Sequence, residues 1–109
     1  MEMQHRTGRN AALAALFCLG LYGVLTRRDL VALLASVEVM LGAGTIQLAA
    51  FSTTLIATGT SAASAASGQG YTLAILVLAA AEAAIGLALL VVLVRSGRTR
   101  TDQIEEVRG

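Results

Sequence analysis

The 109-residue sequence contains no proline, no tryptophan and no lysine, one cysteine, one histidine, and only 14% charged residues. Ordinary globular chains carry about 25% charge. Here apolar residues make up 56%, and a soluble domain this short leaves too large a share of its surface wet to hide them. Lipid removes that difficulty, so the chain reads as an integral membrane protein of a single domain. With lysine absent, the basic residues are eight arginines; the chain's net charge is +1, and the arginines flanking the apolar runs cluster at their ends. That placement suits membrane orientation, not phosphate tracking along nucleic acid. The lone Cys18 excludes a disulfide framework and a CxxC metal site, and the lone His5 lies in a polar N-terminal extension as a solvated residue. No P-loop, dinucleotide fingerprint, metal-ligand cluster or nucleophile–base set is present. The chain by itself has no visible means of catalysing a redox or hydrolytic reaction.

What is present is a succession of apolar runs. A polar extension at 1–9 precedes an apolar run from Asn10 that closes at Thr26-Arg27-Arg28-Asp29. A second run covers 30–56, interrupted by Glu38, Gln47 and a few hydroxyls; an uncharged Ala/Ser/Thr/Gly loop follows to Gly70. A third run, 71–94, is apolar except for Glu82, and a polar tail occupies 96–109. About 20 apolar residues cross roughly 30 Å of hydrocarbon. The fold expected is therefore all-α, with three transmembrane helices over about 10–26, 30–56 and 71–94 forming a domain at 10–95. The first run is the shortest and spans if Arg9 snorkels outward. It differs from a secretory signal peptide in lacking a small-x-small cleavage site.

Arginine placement sets the orientation. Arg27, Arg28, Arg95, Arg98 and Arg100 fall on one side, Arg6 and Arg9 on the other. The positive-inside rule then puts the N-terminus outside, with the first turn and the C-terminus in the cytoplasm.

Glu38 and Glu82 are the candidate site. An acid at the centre of a membrane helix costs about 2.5–3.5 kcal/mol on insertion scales, and such residues mark ion or proton pathways. Such acids persist mainly where they face a bundle interior or a wet cavity. The plain alternative is a carboxyl kept protonated that only bonds helices together. Glu38 lies nine residues past Asp29, about 13 Å along the axis; Glu82 lies thirteen before Arg95, about 20 Å. Counted this way, the acids are offset by about 6 Å, like successive stations of a relay. Small and polar residues recur beside each at helical spacing: Ala35, Gly42, Thr45, Ala49 and Ser52 around Glu38, and Ala79, Ala83 and Gly86 around Glu82. Small residues let helices approach closely, which suggests that both acids face packed seams. Gly20 and Gly23 suggest the same for the first helix, Gln47 an interhelical hydrogen bond, and Tyr22 and Tyr71 the membrane interfaces.

Three segments in this order and spacing resemble a known family: Gly20-Leu21-Tyr22-Gly23-Val24-Leu25-Thr26-Arg27-Arg28-Asp29-Leu30, Ser36-Val37-Glu38-Val39-Met40-Leu41, and Ala79-Ala80-Ala81-Glu82-Ala83-Ala84-Ile85-Gly86-Leu87-Ala88. They resemble subunit K of the bacterial proton-pumping NADH:quinone oxidoreductase, respiratory complex I, over roughly Asn10 to Arg95. The resemblance implies three helices packed within a larger membrane arm, in a bacterial inner membrane, with the N-terminus outside. It implies that Glu38 and Glu82 take part in proton transfer coupled to quinone reduction, and that Arg27 and Arg28 form the basic cytoplasmic turn. The partners implied are other membrane-arm subunits and the lipid bilayer, with no nucleic acid. NADH, flavin, iron–sulfur clusters and quinone would be handled by other subunits, with no cofactor or metal ligand and no redox centre in this chain. One departure stands out. The family usually carries an asparagine a few residues after the second-helix glutamate, where this sequence has Gly42, Gly44 and, further on, Gln47. Both tails also exceed the family's compact minimum.

Two transporter readings compete. The small subunit of a multisubunit cation/proton antiporter shares the three-helix plan, but the pair Glu38 and Glu82 speaks against it. A small multidrug exporter would need a fourth helix and an acid in the first. A structural scaffold with inert acids is the remaining reading.

Overall fold

A computed structural model describes residues 1–59, 61–98, 100–102 and 104. Three helices follow one another: α1 (Glu2–Thr26), α2 (Leu30–Ala57) and α3 (Ala62–Arg95). All three are long and apolar enough to cross a membrane. At 1.5 Å per residue they measure about 37, 42 and 51 Å. α2 is the middle element, packed on α1 along one side and on α3 along the other, while α1 and α3 scarcely touch.

Two helix starts differ from the sequence reading. α1 begins at Glu2, not near residue 10, so the polar extension 1–9 is helical. A helix already nucleated by the apolar run extends at little cost, and Glu2 and Arg6 stand at the supportive i, i+4 spacing. α3 begins at Ala62, not near 71, leaving a connection of only four residues, 58–61. The uncharged Ser/Ala/Gly stretch looked like a loop because it is polar and glycine-bearing. Its four alanines are the best helix formers, however, and it packs against the end of α2, where Gly68 lies on Ser52.

The helix ends carry their own signals. Gly59 (φ +71°) and Gly97 (φ +76°) occupy left-handed conformations just past α2 and α3. At Gly97 the Arg98 N–H bonds to Leu93 O at 2.9 Å and the Gly97 N–H to Val94 O at 3.0 Å, the paired bonds of a Schellman stop. The chain then turns back onto the α1–α2 connection. The Thr101 N–H donates to Arg28 O at 3.0 Å, within an isolated antiparallel bridge between Asp29 and Arg100.

The interior is thin. Among the described residues, the buried ones are Gly20, Ala43, Thr45, Ser52 and Leu90. Large apolar side chains such as Leu73, Val77, Leu87 and Val92 stay more than half exposed. Helices in lipid associate through close packing of small residues, since lipid is as apolar as leucine. Here the fold is a flat row of three helices whose outer faces need lipid or protein to cover them.

Candidate functional site

The α2–α3 seam holds both candidate acids, and its register can be read from glycine contacts. Gly68 of α3 lies on Ser52 of α2, and Gly86 lies on Leu34. In antiparallel helices the residue numbers at one level have a constant sum, and both pairs give it: 68 + 52 and 86 + 34 each equal 120. Glu38 and Glu82 give the same sum, so they stand at one level in the bundle. The 6 Å offset read from the sequence is thereby overturned. It was measured from Asp29 and Arg95 as if these lay together, but on this register Arg95 runs one turn, about 6 Å, beyond Asp29.

The two acids leave the seam on opposite flanks. On α2, Glu38 lies one turn past Leu34 and is half-buried. On α3, Glu82 lies one turn before Gly86 and is exposed. A four-residue step rotates about 40° about a helix axis, and in antiparallel partners these two rotations diverge. The groove lining agrees. A cavity of about 290 Å³ has Leu33 and Val37 on its α2 wall and Gly86 and Leu89 on its α3 wall. A second, of about 400 Å³, has Val37, Gly44 and Ile75. Glu82 sits two turns from both Ile75 and Leu89, on the stripe that lines this flank, with Val37 across from it. Glu38 lines neither cavity.

The expected stripes therefore divide. On α3, Ala79, Ala83 and Gly86 are partly covered while Glu82 is not. On α2, Thr45 and Ser52 are buried, Ala35 is exposed, and a Cβ on Gly42 would meet open space. The α2 hydroxyls are satisfied inside their own helix: Ser36 Oγ donates to Ala32 O at 2.7 Å, Thr45 Oγ1 to Leu41 O at 2.7 Å and Ser52 Oγ to Leu48 O at 3.0 Å. They act as small packing groups and bring no hydrogen bond to Glu38. Neither carboxylate has an ion pair among the described residues.

The remaining expected residues lie elsewhere. Arg27 and Arg28 form the α1–α2 turn and are exposed. Gln47 is exposed on the other seam, in a groove of about 340 Å³ with Asn10 and Cys18, and makes no interhelical bond among the described residues. Tyr22 and Tyr71 are exposed at 64% and 68%. Gly20 and Gly23 do mediate close packing, against Ser36 and Met40 of α2. Among the described residues, no three or more His, Cys, Asp and Glu side chains group as a metal site. Sequence reading missed Gly68 as a packing residue, because it assigned that segment to a loop; the 18-residue spacing from Gly68 to Gly86, five helical turns, was the available signal.

Comparison with known proteins adds a family. A sequence model described as NADH-ubiquinone/plastoquinone oxidoreductase chain 4L matches residues 10–109. The chain is similar to NADH-quinone oxidoreductase subunit K of Brevibacillus brevis, 60% identical over 37 residues, covering 34% of this chain and 36% of that protein. It is similar to subunit K of Desulfitobacterium hafniense, 56% identical over 39 residues and 36% of each chain. It is also similar to NAD(P)H-quinone oxidoreductase subunit 4L of Nostoc sp., 49% identical over 45 residues, 41% of this chain and 45% of that one. The matched stretches thus span between a third and a half of the relatives' length. None of these names is that of an antiporter subunit, so that alternative is not favoured. The match over 10–109 covers all but the polar start of the chain, which belongs to the NADH-ubiquinone/plastoquinone oxidoreductase chain 4L family.

Proposed function

We propose that the chain is a membrane-arm subunit of a proton-translocating NADH:quinone oxidoreductase, in which Glu38 and Glu82 pass protons coupled to quinone reduction. The observation that carries this reading is the pair of level acids on the two flanks of one helix seam, in a chain of this family. Level acids suit transfer sideways in the plane of the membrane, between polar groups that neighbouring subunits bring to each flank. The exposure of Glu82 supports a neighbour on its flank, since an acid bare to lipid carries the insertion cost in full. In this reading the chain supplies no redox centre: NADH, flavin, iron–sulfur clusters and quinone are handled by other subunits. The membrane is the bacterial inner membrane, with the N-terminus outside and the Arg27–Arg28 turn in the cytoplasm, in keeping with the arginine distribution.

Two experiments test it. The chain should co-migrate on a native gel with a large complex that stains for NADH dehydrogenase activity; migration apart from that activity would sink the assignment. In inverted membrane vesicles, Glu82→Gln should abolish NADH-driven acidification while the complex still assembles.

A further inference from the structure

A second cluster of ionisable side chains stands beside a hollow, far from the acid-bearing seam. Glu2, His5, Arg6 and Arg9 on the first turns of α1 face Thr53, Thr54 and Ala57 on the last turns of α2 across a groove of about 280 Å³. Unlike the grooves beside Val37, this one is lined by charged groups. The α1 residues recur at three- and four-residue spacing and so share one helix face. His5, Arg6 and Arg9 are exposed and have no ion pair among the described residues. Thr53 Oγ1 and Thr54 Oγ1 donate to Ala50 O at 2.8 and 3.0 Å, so recognition of an anion falls to the guanidinium groups.

Depth and neighbours indicate which anion. Arg9 immediately precedes the apolar run, and Arg6 lies about 5 Å further out. The polar layer of a bilayer is roughly 5–8 Å thick on each side, so the groove sits at headgroup level. Seven residues toward the hydrocarbon, on the same two helical stripes, Leu16 follows Arg9 and Ile46 precedes Thr53. Both are exposed, at 38% and 50%. A cationic groove above two bare apolar stripes matches the two halves of a lipid; a free phosphate would need only the first. Arginine is also the side chain best shaped for bidentate binding of phosphate oxygens.

We propose that this groove binds an anionic phospholipid, with its phosphodiester on Arg6 and Arg9 and an acyl chain along Leu16 and Ile46. The test uses the membrane assembly that contains the chain, purified through a tag on it and placed in phosphatidylcholine nanodiscs with or without phosphatidylglycerol. Native mass spectrometry then counts the phosphatidylglycerol retained. The double variant Arg6→Gln/Arg9→Gln should weaken retention about thirtyfold, at about 1 kcal/mol per arginine near a membrane surface. Both sites are exposed and glutamine is a good helix former, so the fold is kept. Glu2→Gln, which removes the acid from the groove, should strengthen retention. Unchanged retention in both variants would overturn the proposal. Displacement of the lipid by inorganic phosphate at equal concentration would overturn the lipid assignment in favour of a free anion. Cross-linking of an Arg6→Cys variant to a neighbouring subunit, independent of added lipid, would overturn it in favour of a protein contact.

Discussion

The α1–α2 and α2–α3 seams use the same device, glycine at a close approach, yet Gly20 and Gly86 face different atoms across them. On the α1 side a Cβ at Gly20 would meet the Met40 side chain and stand 2.9 Å from the Ser36 carbonyl oxygen, while one at Gly23 would meet the Ser36 side chain. On the α3 side the atoms met by Gly86 are the tips of Leu34, and those nearest Gly68 belong to the Ser52 side chain. Backbone cannot yield, whereas a leucine tip turns to another rotamer. The α1–α2 seam carries no acid, and the α2–α3 seam carries both.

The largest effect expected is the loss of coupled proton transport in Glu82→Gln, read as quenching of a pH-sensitive dye in inverted vesicles. Normal acidification with that variant would remove the functional side of the comparison altogether. Next, Glu38→Gln alone should be severe, while Glu38→Gln combined with Gly42→Glu should restore part of the activity. Gly42 lies one turn further along α2 with open space around it, so a carboxyl group fits there. Equal defects in the single and double variants would show that one fixed position is needed and not a carboxyl on that flank.

Substitutions at Gly20 and Gly86 test that difference directly. Gly20→Ala should cost about 1–3 kcal/mol by overpacking, seen as less assembled protein and a lower melting temperature. Gly86→Ala should cost less, because Leu34 gives way. A larger loss at Gly86 than at Gly20 would reverse the comparison. The smallest effect belongs to the tail. Thr101→Pro removes the amide that bonds to Arg28 O, a contact worth about 0.5–1.5 kcal/mol. It should raise hydrogen exchange at the Arg27–Asp29 turn without affecting either seam, and exchange unchanged there would show that the tail does not hold the turn.

Much of this architecture is legible from the chain alone. The end of α1 at Thr26 and the start of α2 at Leu30 coincide with a charged turn that hydrocarbon cannot accept. The start of α3 was not legible, since Ala62–Gly70 has neither the charge of a loop nor the hydropathy of a span, and its helicity follows from packing on α2. The two acids were legible as residues. Their levels were not, because nothing in a linear sequence says how far Arg95 overshoots Asp29; that depends on which glycine meets which partner.

The sequence by itself determined that this is a three-helix membrane protein with two acids in its spans, because hydrophobic length and the cost of a buried charge are local properties. Only the tertiary structure decided that those acids stand level, on opposite flanks of the α2–α3 seam. Register and rotation belong to a pair of helices, and they are set by contacts such as Gly68 on Ser52 and Gly86 on Leu34.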